Sequence, residues 1–488
     1  MSLYAGFDCS TQSLTAVVID STRRCVVFRD SLAFREPFLR SDEPSVVHAS
    51  PRIWAEALEA LLGRLTARVD GRALRALSGS AQQHGSVYCG ATPDVLTRQT
   101  SPIWMDSSTV AECAEIEAAL GGSHAVAQLT GSRAYPRFTG PQIRKFAREQ
   151  PDAYAETRRI HLVSSYLASL LIGEHAPIDH ADGSGMNLMD VRSREWSPVA
   201  LEATAPTLKT KLPPLVSSDS VIGTLRADWQ HRFGLPPMRI VAWSGDNPCS
   251  LVGTGLVEQG QVAVSLGTSD TVFAPMREPR VSPDGTGHVF ASPLGEYMGI
   301  TVFRNGALAR ERVRDQFGMS WADFSHALRT TPAGNDGAMM LPWFEPEITP
   351  WVPAAAPVRF GLDGAAASRH VRALVEAQVM AVARHSLWMG VQVRTIHATG
   401  GAAANREILQ VIADVFDARV VRYESLESAA LGAALRALQA DTACSWDAAI
   451  EGFVAPLSDS VVTPIQQHVA IYRRLRPLYA EREAAAMP

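Results

Sequence analysis

The chain opens on an apolar run, a short polar turn and a second apolar run: Tyr4-Ala5-Gly6-Phe7-Asp8, then Cys9-Ser10-Thr11-Gln12-Ser13, then Leu14-Thr15-Ala16-Val17-Val18. The same pattern returns at Val262-Ala263-Val264-Ser265-Leu266, Gly267-Thr268-Ser269 and Asp270-Thr271-Val272-Phe273. Each reads as two strands joined at a tight turn. Backbone N–H groups and hydroxyls at such turns can cup phosphate oxygens without a lysine. One copy would be an ordinary hairpin. Two copies, each early in its half, point to a duplicated nucleotide-binding fold that grips one phosphate chain from both sides.

The periodicity between and after the turns predicts helices near 51–69, 107–120, 140–149 and 160–172, with a strand at 74–80 and a loop and hairpin at 176–190. Ser50-Pro51 suits the start of the first helix. In the second half, 238–243 reads as a strand and Ser244-Gly245-Asp246-Asn247-Pro248 as a turn. A helix to residue 257 follows, with Asn247 at the N-cap and Pro248 at its first position. The proline-rich stretch 342–364 reads as a surface crossing. Helices are then expected at 368–391, 405–416, 427–440 and 467–484, with strands at 394–399 and 418–422. Alternating strands and helices in both halves argue for α/β domains with largely parallel sheets. The boundary falls near residue 243, giving domains 1–243 and 244–488, with the last helix free to pack back onto the first.

At 488 residues, 46% of them hydrophobic, the chain has room for two cores without disulfides. A net charge of −5 offers no electrostatic reason to expect nucleic acid or a membrane surface, and no run of 18 apolar residues exists. Six scattered cysteines without a CxxC, and no apolar signal at the start, fit reduced thiols and a cytoplasmic location. Lys145, Lys209 and Lys211 are the only lysines, against 42 arginines, and none follows a glycine. A Walker P-loop is therefore excluded. The protein-kinase motifs and a GxGxxG fingerprint are absent as well.

Asp8 ends a buried-looking strand, where a carboxylate is costly unless paired or near a cation. It reads as a Mg²⁺ ligand through water or as a turn starter, and the matching turn at 267–269 favours the ligand. Thr11 and Gln12 would then face the transferred phosphate. Asp246 lies at a strand's carboxyl end just before a helix, the edge where open α/β sheets bind ligands. It can act as a general base or serve only as a cap. Asn247 could orient substrate hydroxyls. His84, after a strand, and Arg137 have plain structural readings of their own. Gly400-Gly401, leading to Asn405, would let a flat ligand such as adenine approach the backbone, or form a simple loop.

Taken together, these blocks resemble the FGGY carbohydrate kinases of the actin-like ATPase superfamily. The resemblance runs from Gly6-Phe7-Asp8-Cys9-Ser10-Thr11-Gln12 to Ser428-Ala429-Ala430-Leu431-Gly432. It includes Gln82-Gln83-His84-Gly85, Trp104-Met105-Asp106-Ser107-Ser108-Thr109, Gly131 through Gly140, Asp182-Gly183-Ser184-Gly185-Met186-Asn187-Leu188, Gly245-Asp246-Asn247-Pro248 and Asn405-Arg406-Glu407-Ile408-Leu409-Gln410. Within the family the blocks look closest to a vertebrate-type branch whose sugar is D-xylulose.

The resemblance implies two actin-like (ribonuclease H-like) domains with a cleft between them, and ATP-dependent phosphorylation of the 5-hydroxyl with Mg²⁺. It implies Asp246 as the base, with His84, Arg137 and Asn247 holding the sugar. Asp8, Thr11, Gln12, Gly267, Thr268 and Ser269 would surround the phosphates and the metal, which Asp8 and Asp246 would hold through water. Gly401, Asn405 and Trp321 would meet the nucleotide. Asp106 is expected to be structural. Gln83 departs from the methionine that many bacterial relatives carry, and that change sits beside the sugar. Ribulose, another ketose or glycerol remains open, as do a non-catalytic sugar sensor and a homodimer.

Overall fold

The structure, a computed structural model, describes residues 2–39, 41–423 and 427–487. The first half forms a seven-stranded sheet from β1 (Leu3–Cys9), β2 (Ser13–Asp20), β3 (Cys25–Ala33), β4 (Leu74–Ala81), β5 (Val221–Thr224), β6 (Arg239–Val241) and β7 (Ser244–Gly245). The second half forms a six-stranded sheet from β8 (Gln261–Leu266), β9 (Asp270–Met276), β10 (His288–Ala291), β11 (Tyr297–Phe303), β12 (Thr395–Thr399) and β13 (Arg419–Arg422). The principal helices are α1 (Pro51–Thr66), α2 (Val163–Ile172), α3 (Asp246–Gly253), α4 (Ala307–Gln316), α5 (Trp321–Thr330), α6 (Ala367–His385), α7 (Arg406–Phe416), α8 (Ser428–Thr442) and α9 (Gln466–Ala486).

The two sheets share one plan. In the first the order is β5-β6-β4-β1-β2-β3, with β7 continuing along β4; in the second it is β10-β11-β9-β8-β12-β13. Each has an antiparallel hairpin, β1–β2 or β8–β9, whose first strand pairs in parallel with a later one, β4 or β12. The duplicated α/β fold expected from the two turns is therefore present. β1 is buried along almost its whole length, as strands covered on both faces are.

One face of the first sheet packs on α1 and α2 through Trp54, Leu58, Leu61, Leu62, Val163, Tyr166 and Leu170. The other face, Tyr4, Val17, Ile19, Ala76 and Val241, is covered by Val252 of α3 and by Ala430, Ala434, Leu435 and Leu438 of α8. α3 also reaches the second sheet, since Leu251 packs with Ala263, Phe273 and Phe290. Where α3 crosses α8, a Cβ on Gly253 would lie 1.8 Å from Ser428 O, and one on Gly432 would lie 1.9 Å from Cys249 O. Only glycine permits that approach.

Several expectations are corrected. The segment 160–172 divides into a strand, Arg159–Leu162, and then α2. Around Asp182 the chain forms a helical turn, His180–Gly183, and a 3₁₀ turn, Ser184–Met186, in place of a hairpin. α3 begins at Asp246 with Gly245 at its N-cap, two residues before the expected Asn247 cap, because the Asp246 carboxylate folds onto the N–H of Asn247. α9 packs on the helices of the second sheet, not on the first domain. Its Tyr472 accepts from Arg372 Nη2 at 2.7 Å and donates to Glu376 at 2.8 Å, both on α6, and Tyr472 and Tyr479 join the second sheet's core.

Candidate active site

Three parallel strands deliver the first wall. In register, Asp8 of β1 and Ser244 of β7 both lie opposite Ser80 of β4, and Cys9 and Gly245 lie opposite Ala81. Their carboxyl ends therefore carry Asp8, Gln82 to His84 and Asp246 to one sheet edge, where open α/β sheets place ligands. Ser80 Oγ donates to Asp8 Oδ1 at 2.8 Å. Asn247 donates to Asp246 Oδ1 from its backbone N at 2.8 Å and from Nδ2 at 3.1 Å, and Nδ2 also reaches Gln83 Oε1 at 2.9 Å. Gln83 lies so close over Gly245 that a Cβ there would meet it at 2.5 Å.

Both carboxyls are pushed up. Burial raises Asp8 to about 6, against the pull of Ser80. Burial, and then the negative charge of Asp8, raise Asp246 to about 7, despite the N–H of Asn247. Below the edge lies a further buried carboxyl. Asp182 accepts from Ser164 Oγ at 2.5 Å, and burial followed by the charge of Asp179 holds it well above the usual carboxylate range.

His84 and Arg137 meet around Phe138. The His84 ring stacks on Phe138 at 4.2 Å, and its Nδ1–H donates to Gly185 O at 2.8 Å. Burial, with Arg137 nearby, lowers His84 to about 3, so the ring is neutral and Nε2 keeps a lone pair. The Arg137 guanidinium lies 4.8 Å from the Tyr135 ring centroid and 5.6 Å from that of Phe138.

The two polar turns differ in their support. Thr11 receives a 2.8 Å bond from Trp104 Nε1, and Gln12 is exposed at the tip. The 267–269 turn is tied from beneath. Gly267 O accepts from Ala307 N at 2.9 Å and from Arg310 Nη2 at 3.4 Å, and Arg310 grips both oxygens of buried Asp270 at 2.8 and 2.9 Å. Beside it opens a pocket of about 610 Å³ lined by Gly267, Thr268, Trp321, Ser325, Gly401 and Asn405, among others. Gly401 has open space where a side chain would stand. Asn405 caps α7 through bonds from Glu407 N and Ile408 N, and its Nδ2 donates to Ser325 Oγ at 2.9 Å.

The structure thus gathers Asp8, Asp246 and Asn247 at one edge, His84 and Arg137 around one phenyl ring, and Gly267, Thr268, Trp321, Gly401 and Asn405 in one pocket. Ser269 sits on the turn outside that lining. Asp106 braces loops by accepting from Val47 N, Ser108 N and Ser108 Oγ. Sequence reasoning noted Gln83 only as a departure from the family pattern and passed over Asp182, Arg310 and Ser325. The first two lay inside recognised blocks; the other two carried no signal.

A duplicated α/β fold with two raised carboxyls at one sheet edge and a pocket beside its second polar turn fits a phosphotransferase of the actin-like class. The N-terminal domain model of the FGGY family of carbohydrate kinases matches residues 3–253, and its C-terminal domain model matches residues 262–440. The chain belongs to the FGGY family of carbohydrate kinases. It is 41% identical to xylulose kinase of Rattus norvegicus, over 98% of this chain and 96% of that one. It is 38% identical to xylulose kinase 2 of Arabidopsis thaliana, over 94% and 90%. The crystal structure of xylulose kinase from Rhodospirillum rubrum superimposes with a TM-score of 0.89 at 20% identity, covering 99% of this chain and 98% of that one.

Proposed function

We propose that the chain transfers the γ-phosphoryl group of ATP to the 5-hydroxyl of D-xylulose, with Asp246 as the general base. The observation that carries this reading is the placement of Asp246. It begins α3 at the edge shared with Asp8, has Asn247 fixed against it, and is raised to about 7. A base works best when its pKa lies near the working pH.

His84 Nε2 accepts from a sugar hydroxyl, while Arg137 and Asn247 donate to sugar oxygens. Asp246 removes the O5 proton as the O5–P bond forms and the bond to the β-phosphate oxygen breaks, leaving ADP. The N–H groups of the 10–13 and 267–269 turns hold the phosphate oxygens, with Thr11, Gln12, Thr268 and Ser269 beside them. Trp321, Gly401 and Asn405 take the adenosine. The residues fit Mg²⁺: it needs only one or two carboxylates alongside phosphate and water, and Asp8 and Asp246 are two carboxyls whose charge burial leaves uncompensated. Held through water by this pair, Mg²⁺ would supply positive charge to the phosphate oxygens.

A cytoplasmic location is consistent with the six cysteines, all of which are free. No helix among the described residues is long and apolar enough to cross a membrane.

The test is a panel of D-xylulose, D-ribulose, other ketoses and glycerol with coupled ADP detection. D-xylulose is expected to give the highest kcat/KM. Another sugar well above it would replace the substrate, and binding without ADP release would make the chain a sensor.

A further inference from the structure

The edge strand of the second sheet does not face solvent. Its outward N–H groups are given to the first half: Val289 N donates to Gly131 O and Ala291 N to Ser184 Oγ, both at 2.9 Å. Tyr135 Oη donates to Thr286 O at 3.2 Å just before it. This docking carries His288 of β10 into the aromatic cluster around Arg137. The imidazole is 4% exposed, lies edge-on to Tyr135 at 4.9 Å and tilts against Phe138 at 5.6 Å.

The tautomer of His288 follows from its neighbours. Arg137 Nη2 donates to His288 Nε2 at 2.9 Å, so Nε2 bears the lone pair. The proton is then on Nδ1, which lies 3.2 Å from Ser132 Oγ. Burial, Arg137 and His84 all disfavour a charged ring, which agrees with this assignment. Among the described residues the Arg137 guanidinium has no carboxylate within ion-pair distance, and its one side-chain acceptor is His288. A carboxylate in that place would neutralise the cation and occupy two of its donors. A neutral imidazole fixes one N–H and leaves the charge and the other donors for sugar oxygens.

We propose that His288 is a positioning residue for the sugar: its Nε2 fixes the guanidinium of Arg137, so a strand of the second half helps to build the sugar site of the first. The inference rests on the functional reading above, in which Arg137 holds the ketopentose.

The test compares three variants by KM for D-xylulose, kcat and thermal melting. His288→Phe keeps a ring of similar size and removes the acceptor; KM for the sugar should rise about 10- to 100-fold, with kcat changed much less. His288→Gln offers Oε1 near the place of Nε2 and should recover most of that loss. A role in folding alone would lower the melting temperature in both without a sugar-selective KM change. Should His288→Phe fail to fold, Ser132→Ala carries the test: it removes the partner of Nδ1–H, and a several-fold rise in sugar KM is expected. A folded His288→Phe with sugar KM within twofold of wild type overturns the inference, as does His288→Gln no better than His288→Phe, or an unmoved KM in Ser132→Ala. Wild-type protein inactive on every sugar of the panel would overturn the functional reading and this inference with it. An active wild type with unmoved variants overturns only the inference.

Discussion

Asn247 Nδ2 donates to Gln83 Oε1 at 2.9 Å, joining the first turn of α3 to the segment that leaves β4. The same nitrogen reaches Asp246 Oδ1, so the orientation of the base depends on an amide carried by a different strand. Gln83→Met keeps the length of the side chain and removes the acceptor. kcat/KM for D-xylulose is expected to fall about 10-fold with little change in melting temperature, measured by steady-state kinetics and thermal denaturation.

Asp246→Asn should lower turnover by roughly 10²- to 10⁴-fold, the usual worth of a general base. It should also stabilise the ligand-free protein at pH 8. The folded-state pKa of about 7 lies above the ordinary aspartate value of 3.8, so the folded chain binds more protons than the unfolded chain between those pH values. Stability therefore falls as pH rises through that window, by up to ~4 kcal/mol at 1.36 kcal/mol per unit. Melting temperatures of wild type and Asp246→Asn should accordingly diverge at pH 8 and converge near pH 4.

Asp8→Asn removes the negative neighbour that helps to raise Asp246. In metal-free protein the Asp246 carboxyl should titrate at lower pH than in wild type. It should still titrate above the ordinary aspartate range, because burial is the larger cause. Carbon NMR of labelled aspartate would follow the shift, and a rise or no change would refute the coupling.

Trp321 lines the pocket together with Gly401 and Asn405 and is 45% exposed. Trp321→Ala should raise KM for ATP about 5- to 20-fold, by loss of an aromatic surface for the base, and leave KM for the sugar unmoved.

Gly432→Ala places a methyl group where Cys249 O already stands. The helices must part, and a loss of about 1–3 kcal/mol or more is expected in denaturant titrations. Because α3 carries Asp246 at its start, kcat should fall as well.

Much of the site was legible because its residues sit where chain direction changes. Asp8 lies at the end of a strand, Asp246 and the glycines before Asn405 directly follow one, and strand ends can be read from apolar runs. Gln83 lay within a recognised block yet remained without a role, since its meaning depends on Asn247, 164 residues away. His288 left no trace in the pattern. It is one polar residue in an otherwise apolar strand, and its partner Arg137 is 151 positions distant. The helix near 427–440 was expected, but which sheet it covers was not, because an alanine-rich face fits many surfaces. The docking of the last helix stayed open for the same reason: it is decided by Tyr472 meeting Arg372 and Glu376, contacts no local spacing encodes.

The placement of α8 sets a timetable for biosynthesis. The strands of the first sheet are complete once Gly245 has been made, yet the face formed by Tyr4, Val17, Ile19 and Ala76 gains most of its cover only when residues 428–442 emerge. At about 5–20 residues per second, the nascent sheet waits roughly 10–40 s with an apolar side uncovered. A ribosome-bound chain of this protein is thus a natural client for a holding chaperone. A chain terminated before α8 would keep that sticky face for its whole lifetime.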